Sequence, residues 1–450
     1  MSEAVFNPRD LAQWSGGQWT REPAQPITGF AIDSRAVAPG ELFIALPGES
    51  RDGHTFLDAA RARGAAGAMV RRGTTLDDFP LLEVADPKAA LTELARAHRA
   101  RLRGQLIAIT GSSGKTSVKE MVADMLSISG PTARTHGNWN NDLGLPLSLL
   151  TMKPSDHFGV FEVGMNHPGE LAPLCDILQP HVSVVTNVGP VHIEFFESEE
   201  AIAREKAAVI RVLSPDGVAV LPADDPWFRV LLSYAKCNVK TVSLVANAEY
   251  RIEAGVPPRF AISENATGES AAFDAPLPGR HVLLNAGLAI AVARHYGLAW
   301  EALAERLRTF HPPGMRWKET NIGGVLFIND AHNANPMSMR AALEAFSETP
   351  VAGRRWLALG SMRELGAISE SEHIALGRAI SGGPWAGLVA VGAAGAWIRQ
   401  GAQAGGFLRL YGAENTADAA RVLKDLIRPG DAVLLKASRG DRLETILENL

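Results

Sequence analysis

Short, unbroken apolar runs recur along most of the chain, and they predict strands buried on both faces. Leu106-Ile107-Ala108-Ile109-Thr110, Phe158–Val163, Val182–Thr186 and Gly217–Leu221 are four such runs, of the kind found where a parallel sheet is covered on both sides. Helix-like residues follow the first from Lys115 to Ser127. Strands alternating with helical segments of about ten to fifteen residues indicate βαβ units. A less regular stretch, Val239–Leu277, reads as a β-rich insertion before a helix over His281–Tyr296. A second series starts near Pro312-Pro313-Gly314. Its predicted strands are Val325–Asn329, Arg355–Leu359, Leu388–Val391 and Ala432–Lys436, and its helices Pro336–Phe346, Ser371–Ile380 and Thr416–Ile427. The first hundred or so residues differ. Gly29–Ile32 and Glu41–Leu46 are strand-like, and Leu57–Gly64 and Ala89–Leu102 read as helices, the latter with Leu91, Leu94, Ala95 and His98 on one face. The expected fold class is therefore α/β in three domains. Residues 1–104 form a small mixed N-terminal domain, 105–313 a central parallel-sheet domain, and 314–450 a C-terminal Rossmann-like α/β domain.

Composition supports this and removes other classes. A chain of 450 residues holds two to four domains at about 100–200 residues each. With 46% hydrophobic and 21% charged residues, it is an ordinary globular sequence rather than a disordered or collagen-like one. Net charge is −5, from 44 basic and 49 acidic side chains, which advertises no nucleic-acid or acidic-membrane partner. Only two cysteines occur, Cys175 and Cys237, so a disulfide framework is excluded and a reducing cytoplasm favoured. The N-terminus lacks a basic segment followed by an apolar core. The longest apolar stretch, Trp385–Ile398, contains glycines and falls short of the ~20 residues a membrane span needs. A cytoplasmic protein is expected.

The chemistry-bearing residues fall just after predicted strands: Gly111–Thr116, Glu162, Asn187–His192, Asp330–Asn335, Gly360–Glu364 and Lys436–Arg439. Ligands of parallel α/β sheets bind outside the carboxyl ends of the strands, so two strand-end faces are expected to meet over one ligand. The strongest local signal is Thr110-Gly111-Ser112-Ser113-Gly114-Lys115-Thr116, running on into Ser117. Its glycines let backbone wrap a phosphate, the helix start favours the anion, Lys115 supplies charge, and the Thr116 hydroxyl can ligate Mg²⁺. The P-loop formula places a further glycine where this chain has Ile109, so the fit is to a shortened variant, Gly-x-x-Gly-Lys-Thr. Glu162 ends an apolar strand, where a carboxylate is costly unless paired or metal-bound; with Thr116 it makes a hard-oxygen pair suited to Mg²⁺, a buried ion pair being the plainer reading. His192 is a ligand or base at a strand exit, or an ordinary loop histidine. Lys206, on a helix, reads from the residues alone as a solvated lysine. Asn333 and Asn335 offer ligand-binding oxygens or a helix cap. Asn138, Asn140 and Asn141 form an amide patch suited to peptide-like groups or to a turn.

The full ordered set resembles the Mur ligase family of bacterial cell-wall synthesis, and the resemblance covers nearly the whole chain. It includes Asp33-Ser34-Arg35, Asp52-Gly53-His54, Thr110–Thr116, Gly137-Asn138, Asn140-Asn141, Glu162, Thr186–Glu194, Lys206, Asp224-Asp225, Asn285, Arg316, Asp330–Pro336, Met362–Gly366 and Lys436–Arg439. The Asp-Asn-Pro-Arg motif of the diaminopimelate-adding branch is absent, and Asn333–Met339 with Glu364-Leu365-Gly366 is similar to the branch that adds a dipeptide. What the resemblance implies is an ATP- and Mg²⁺-dependent amide ligase with a P-loop-type ATPase domain, joining D-alanyl-D-alanine to UDP-N-acetylmuramoyl-tripeptide through an acyl phosphate. It implies Gly111 to Ser117, Asn285, Arg316 and Asp330 at ATP, and Thr116 and Glu162 at one Mg²⁺. His192 and Lys206 would serve a second, with Lys206 carbamylated, and Lys115, His192 and Lys206 would be catalytic. Asp33, Ser34, Arg35, Asp52, Gly53 and His54 would seat the UDP-sugar, and Asn138, Asn140, Asn141, Asn333 and Asn335 would face the peptide and dipeptide. A single chain is the expected working unit. A sister amide ligase with another amino-acid substrate, Mur-type or folylpolyglutamate-synthase-like, is the competing enzyme reading. A nucleotide-binding switch is the competing reading from another class.

Overall fold

The computed structural model describes residues 6–48 and 51–450. Three sheets follow one another along the chain, each covered by helices. The first has five strands in the order Gln18–Trp19, Leu81–Val84, Gly67–Arg71, Leu42–Ile44 and Phe30–Ala31, all parallel except the first. Helix Pro87–Arg99 leaves it, N-capped by Asp86 and carrying proline in its first turn. Leu91, Leu94, Ala95 and His98 are all buried on its inner face.

The central sheet has nine strands. Thr132–Arg134, Phe158–Glu162, Gln105–Thr110, Val182–Val185, Val218–Pro222 and Asn238–Ser243 are successive parallel neighbours, so Gln105–Thr110 lies inside the sheet. The stretch expected as an insertion is an outward extension of this sheet. Tyr250–Ala254 pairs parallel to Asn238–Ser243, and Arg259–Glu264 and Glu269–Asp274 add an antiparallel hairpin. The buried Tyr250, Ile252, Phe260, Ile262 and Phe273 join the core beneath helix Arg280–His295, because alternate residues of these strands point inward. That helix packs on Lys115–Leu126, the helix that opens at the glycine-rich loop.

The C-terminal sheet runs Lys318–Ile322, Val325–Asn329, Ala432–Lys436, Arg355–Leu359, Trp385–Val391 and Leu410–Ala413, parallel except for the first. Three of its strands have the predicted bounds, since each is an uninterrupted apolar run. Helix Pro336–Glu348 starts in a reciprocal cap: Asn335 accepts the Ser338 N–H, and Ser338 bonds back to Asn335.

Candidate active site

The glycine-rich loop joins strand Gln105–Thr110 to helix Lys115–Leu126. Gly114 has φ +80°, a left-handed backbone immediately before the helix, and a Cβ there would lie 2.7 Å from Asn285 Oδ1. At Gly111 a Cβ would overlap the Thr186 hydroxyl. The strand exit at 186–189 buttresses the loop. Ser112 N–H donates to the Asn187 carbonyl at 3.0 Å, and Ser113 N–H donates to Asn187 Oδ1 at 2.8 Å. The Ser112 hydroxyl donates to the Gly189 carbonyl at 3.0 Å and accepts the Gly189 N–H at 2.9 Å. The N–H groups of Lys115, Thr116 and Ser117 form the first helical turn and have no intrahelical acceptor. Lys115 Nζ folds back to the Gly111 carbonyl at 2.8 Å. Burial pushes the Lys115 amine below its ordinary value; the Glu162 carboxylate opposes this and the Arg316 guanidinium adds to it.

Glu162, buried at the end of its strand, is fully engaged. Oε2 accepts the Thr116 hydroxyl at 2.7 Å, Oε1 accepts the Asn140 amide at 2.7 Å, and its backbone N–H donates to Thr135 Oγ1 at 2.9 Å. Arg316 reaches across from the segment between the second and third sheets and donates to Thr116 Oγ1 at 3.0 Å. Thr116 and Glu162 are hard oxygen donors, the kind Mg²⁺ prefers. Among the described residues, no three His, Cys, Asp or Glu side chains converge, so an ion here would draw on the hydroxyl, the single carboxylate and its ligand's own oxygens.

From the C-terminal sheet come Asp330 and Lys436. Lys436 Nζ donates to Asp330 Oδ2 at 2.6 Å and to the Asp330 and Asn333 carbonyls at 3.3 and 3.2 Å. Asn335 bridges to the loop, its Nδ2 lying 3.4 Å from the Ser112 carbonyl, while its Oδ1 caps the following helix. Asn333 Oδ1 accepts the Ala334 N–H. His332 stands beside Arg316 and Arg439; burial and these guanidinium charges lower its pKa to about 4.

One cleft of about 420 Å³ gathers these groups. Ser112 to Ser117, Asn138, Asn140, Glu162, His192 and Asn285 line its central-sheet side, and Arg316, Asp330, Asn333, Asn335 and Lys436 the other. Gly111, Asn141 and Lys206 are not on that lining. Asn141 Oδ1 accepts the Gly144 N–H at 2.8 Å in the turn that leads into helix Gly144–Leu150, the turn-forming alternative. His192 takes a left-handed backbone, φ +59°, and its Nδ1 pairs with Glu364 from the C-terminal part of the chain. Lys206 is no solvated helix lysine. It is 2% exposed, and burial, reinforced by Lys115, holds its amine well below the ordinary lysine value.

The early motifs lie away from the cleft lining. Arg35 donates to both oxygens of Asp33 at 3.0 and 2.8 Å and holds that carboxyl near 2; Ser34 between them is buried. Asp52 accepts the His54 N–H at 3.0 Å, pairs with His54 Nδ1 at 2.6 Å and accepts Arg71 at 2.8 Å. Gly53 opens the short 3-10 turn Gly53–Phe56.

Sequence reasoning gave no individual site role to Thr135, Asn187 or Glu364, while Lys436 opens the segment Lys436–Gly440, which reads as a second small basic phosphate-type loop. Asn187 and Glu364 stood in segments singled out for following strands; Thr135, one threonine past a short edge strand, carried no signal.

Comparison with known proteins places the whole chain in one family. The family described as Mur ligase family, catalytic domain, matches residues 26–103. The Mur ligase middle domain matches 109–293, and the Mur ligase, glutamate ligase domain, matches 315–439. The UDP-N-acetylmuramoyl-tripeptide–D-alanyl-D-alanine ligase of Bacillus subtilis is 33% identical over 433 residues, covering 94% of this chain and 93% of that protein. A crystal structure of MurF from Acinetobacter baumannii superposes with a TM-score of 0.90 at 32% identity, covering 100% of this chain and 99% of the other. MurF ligase of Thermotoga maritima in complex with ADP gives 0.81 at 28% identity, covering 94% and 96%. With a relative so similar along nearly its whole length, and with three family domains matched in order, the chain belongs to the Mur ligase family.

Proposed function

We propose that this protein is an ATP-dependent, ADP-forming ligase that joins D-alanyl-D-alanine to UDP-N-acetylmuramoyl-tripeptide, a step of peptidoglycan precursor synthesis on which cell shape and division depend. The observation that carries the reading is the cleft in which a glycine-rich loop faces Arg316, Asp330 and Lys436 from the far side. It stands in a chain similar end to end to ligases of that name.

A carboxylate is a poor electrophile. Transfer of the γ-phosphoryl group to a carboxylate oxygen releases ADP and gives an acyl phosphate. The dipeptide amine then attacks the carbonyl carbon, the C–N bond forms, the C–O bond to phosphate breaks, and phosphate and a proton leave. The chain's part is to hold several anions together and to exclude water. The first-turn N–H groups, Lys115 and Arg316 hold the phosphates, and Asn285 closes the loop at Gly114. A Mg²⁺ ion, if held by Thr116 and Glu162, supplies charge neutralisation at the transferring phosphoryl group. In this reading His192 is held by Glu364, and Lys206 carries a carbamate. The neutral amine that burial favours at Lys206 is the form that reacts with carbon dioxide, which supports that assignment. Asp33–Arg35 and Asp52–His54 seat the UDP end within a domain of residues 1–104, while residues 105–313 and 314–450 supply the two walls of the cleft. Asn138, Asn140, Asn333 and Asn335 face the peptide groups. No helix among the described residues is long and apolar enough to cross a membrane; in this reading the enzyme works as a cytoplasmic monomer.

Incubation with ATP, Mg²⁺, UDP-N-acetylmuramoyl-tripeptide and D-alanyl-D-alanine should yield the pentapeptide product by mass spectrometry, with one ADP per product. Phosphate release that needs a different amino acid in place of the dipeptide would overturn the substrate assignment. ATP hydrolysis without any amide product would overturn the ligase reading.

A further inference from the structure

Helix Lys115–Leu126 carries a lysine where its sequence neighbours are core residues. Lys119 is 0% exposed, flanked on the helix by the buried Val118, Met121, Val122 and Ala123. An ammonium group taken fully out of water costs several kcal/mol unless paired, so its partners define what it does. Nζ donates to the Thr135 carbonyl at 2.8 Å and to Glu120 Oε1 at 2.6 Å. The other oxygen of Glu120 accepts Arg134 at 2.8 Å. Lys119 and Glu120 thus clamp the end of strand Thr132–Arg134 to the helix that opens at the phosphate loop.

That strand end is where two cleft elements originate. Thr135, itself 1% exposed, accepts the Glu162 backbone N–H on its hydroxyl. The next residues form the loop to Asn140, whose amide donates to Glu162 Oε1. Glu162 in turn accepts Thr116, one helical turn from Lys119. The circuit closes on itself: helix, Lys119, Thr135, Glu162, helix.

We propose that Lys119 is a positioning residue of this active site, fixing the strand end at Thr135 so that Glu162 and Asn140 are held against the phosphate loop. It touches no reacting atom. The inference rests on the ligase reading for what the cleft does, but the positioning itself is a property of the ligand-free protein. A lysine kept only to fill space predicts the opposite of a positioning lysine. Lys119→Met preserves length and apolar stem, and Glu120 keeps Arg134 as its partner. The lost bond to the Thr135 carbonyl lowers stability on either reading, but a lysine kept only to fill space would leave activity and local exchange intact.

The test uses the full chain. In Lys119→Met the thermal midpoint is expected to fall, since the buried Thr135 carbonyl loses its donor, while in the folded protein ligation kcat falls at least tenfold and hydrogen exchange of the ligand-free protein quickens over residues 136–143. Wild-type kcat and wild-type exchange in a folded Lys119→Met protein would overturn the proposal. Should that variant fail to fold, Thr135→Val decides. It keeps the carbonyl that Lys119 holds and removes only the hydroxyl on the Glu162 N–H, so kcat should fall with exchange over 136–143 unchanged; wild-type kcat overturns the proposal. Failure of the wild-type enzyme to ligate would instead overturn the functional reading and leave the exchange result standing.

Discussion

Gly114→Ala tests the geometry of the phosphate loop through stability alone. The residue holds φ +80°, where an L-residue with a side chain is disfavoured by about 1–2 kcal/mol. Its new methyl carbon would also sit 2.7 Å from Asn285 Oδ1 and 3.0 Å from Asn285 Nδ2. Asn285 lies in a helix packed on the helix that Gly114 precedes and borders the cleft, so its amide must swing toward the cleft to clear the methyl, and overpacking of this kind costs about 1–3 kcal/mol. The two terms together come to about 2–5 kcal/mol. For a unit of about 200 residues each kcal/mol moves the midpoint by about 2–4 °C, so calorimetry should show the central transition lowered by roughly 4–20 °C. The double variant Gly114→Ala/Asn285→Ala separates the terms. Measured against Asn285→Ala alone, the glycine substitution should then cost only the backbone part, about 1–2 kcal/mol. A drop below about 2 °C in the single variant, or no relief in the double, would refute the left-handed, Asn285-packed loop.

Three further outcomes are expected. Asp330→Ala strands the Lys436 ammonium, whose side chain is 4% exposed, and should lower the C-terminal calorimetric transition by the low end of about 3–5 kcal/mol, since two carbonyls remain as partners; Asp330→Asn should cost less. Lys206→Ala should lose most ligation activity, and a short carboxylic acid in the buffer should restore part of it; unchanged kcat would remove Lys206 from the site. His373 donates from Nδ1 to the Ser369 carbonyl at 2.6 Å and accepts the Met362 N–H on Nε2 at 2.9 Å, and burial lowers its pKa. The unfolded chain takes up that proton first, so the contribution is intact above about pH 6.5 and is lost as pH falls below it, by up to about 1.4 kcal/mol per unit; an equal pH slope of thermal midpoints in His373→Gln would refute it.

Much of the fold was legible because its central strands are apolar throughout. Val325–Asn329, Arg355–Leu359 and Ala432–Lys436 are buried on both faces, and such runs announce themselves. Strands with another environment did not. Lys318–Ile322 is an edge strand with no buried residue, so it has no apolar pattern to read. Its only mark was Gly323-Gly324, both left-handed, the two-residue turn that a tight hairpin needs. Gly67–Arg71 and Leu81–Val84 are brief segments among turn residues, and helix Trp300–Arg308 follows another helix without a strand between.

The site was legible in the same uneven way. The loop Gly111–Thr116 declared itself because its parts are consecutive: the glycine that turns, the lysine and the helix start are fixed by local backbone. The remaining contacts join residues distant in sequence. Thr116 meets Glu162 across 46 positions, Lys436 meets Asp330 across 106, His192 meets Glu364 across 172 and Arg316 meets Thr116 across 200. Each partner is visible in the sequence as a charge or hydroxyl, but the pairing is set by how one sheet stands against another. Burial inverts ordinary expectations at such places. Lys119, Lys206 and Lys436 all lie on regular elements where a lysine normally faces water, and all three are buried. Lys119 and Lys436 stand among the core residues of their elements, whereas Lys424 sits exposed on an outer helix. What each lysine meets is fixed by the folded chain, which brings Lys119 to the Thr135 carbonyl and Lys436 to Asp330, so the phosphate loop is legible from consecutive residues and the groups that face it from across the sequence are not.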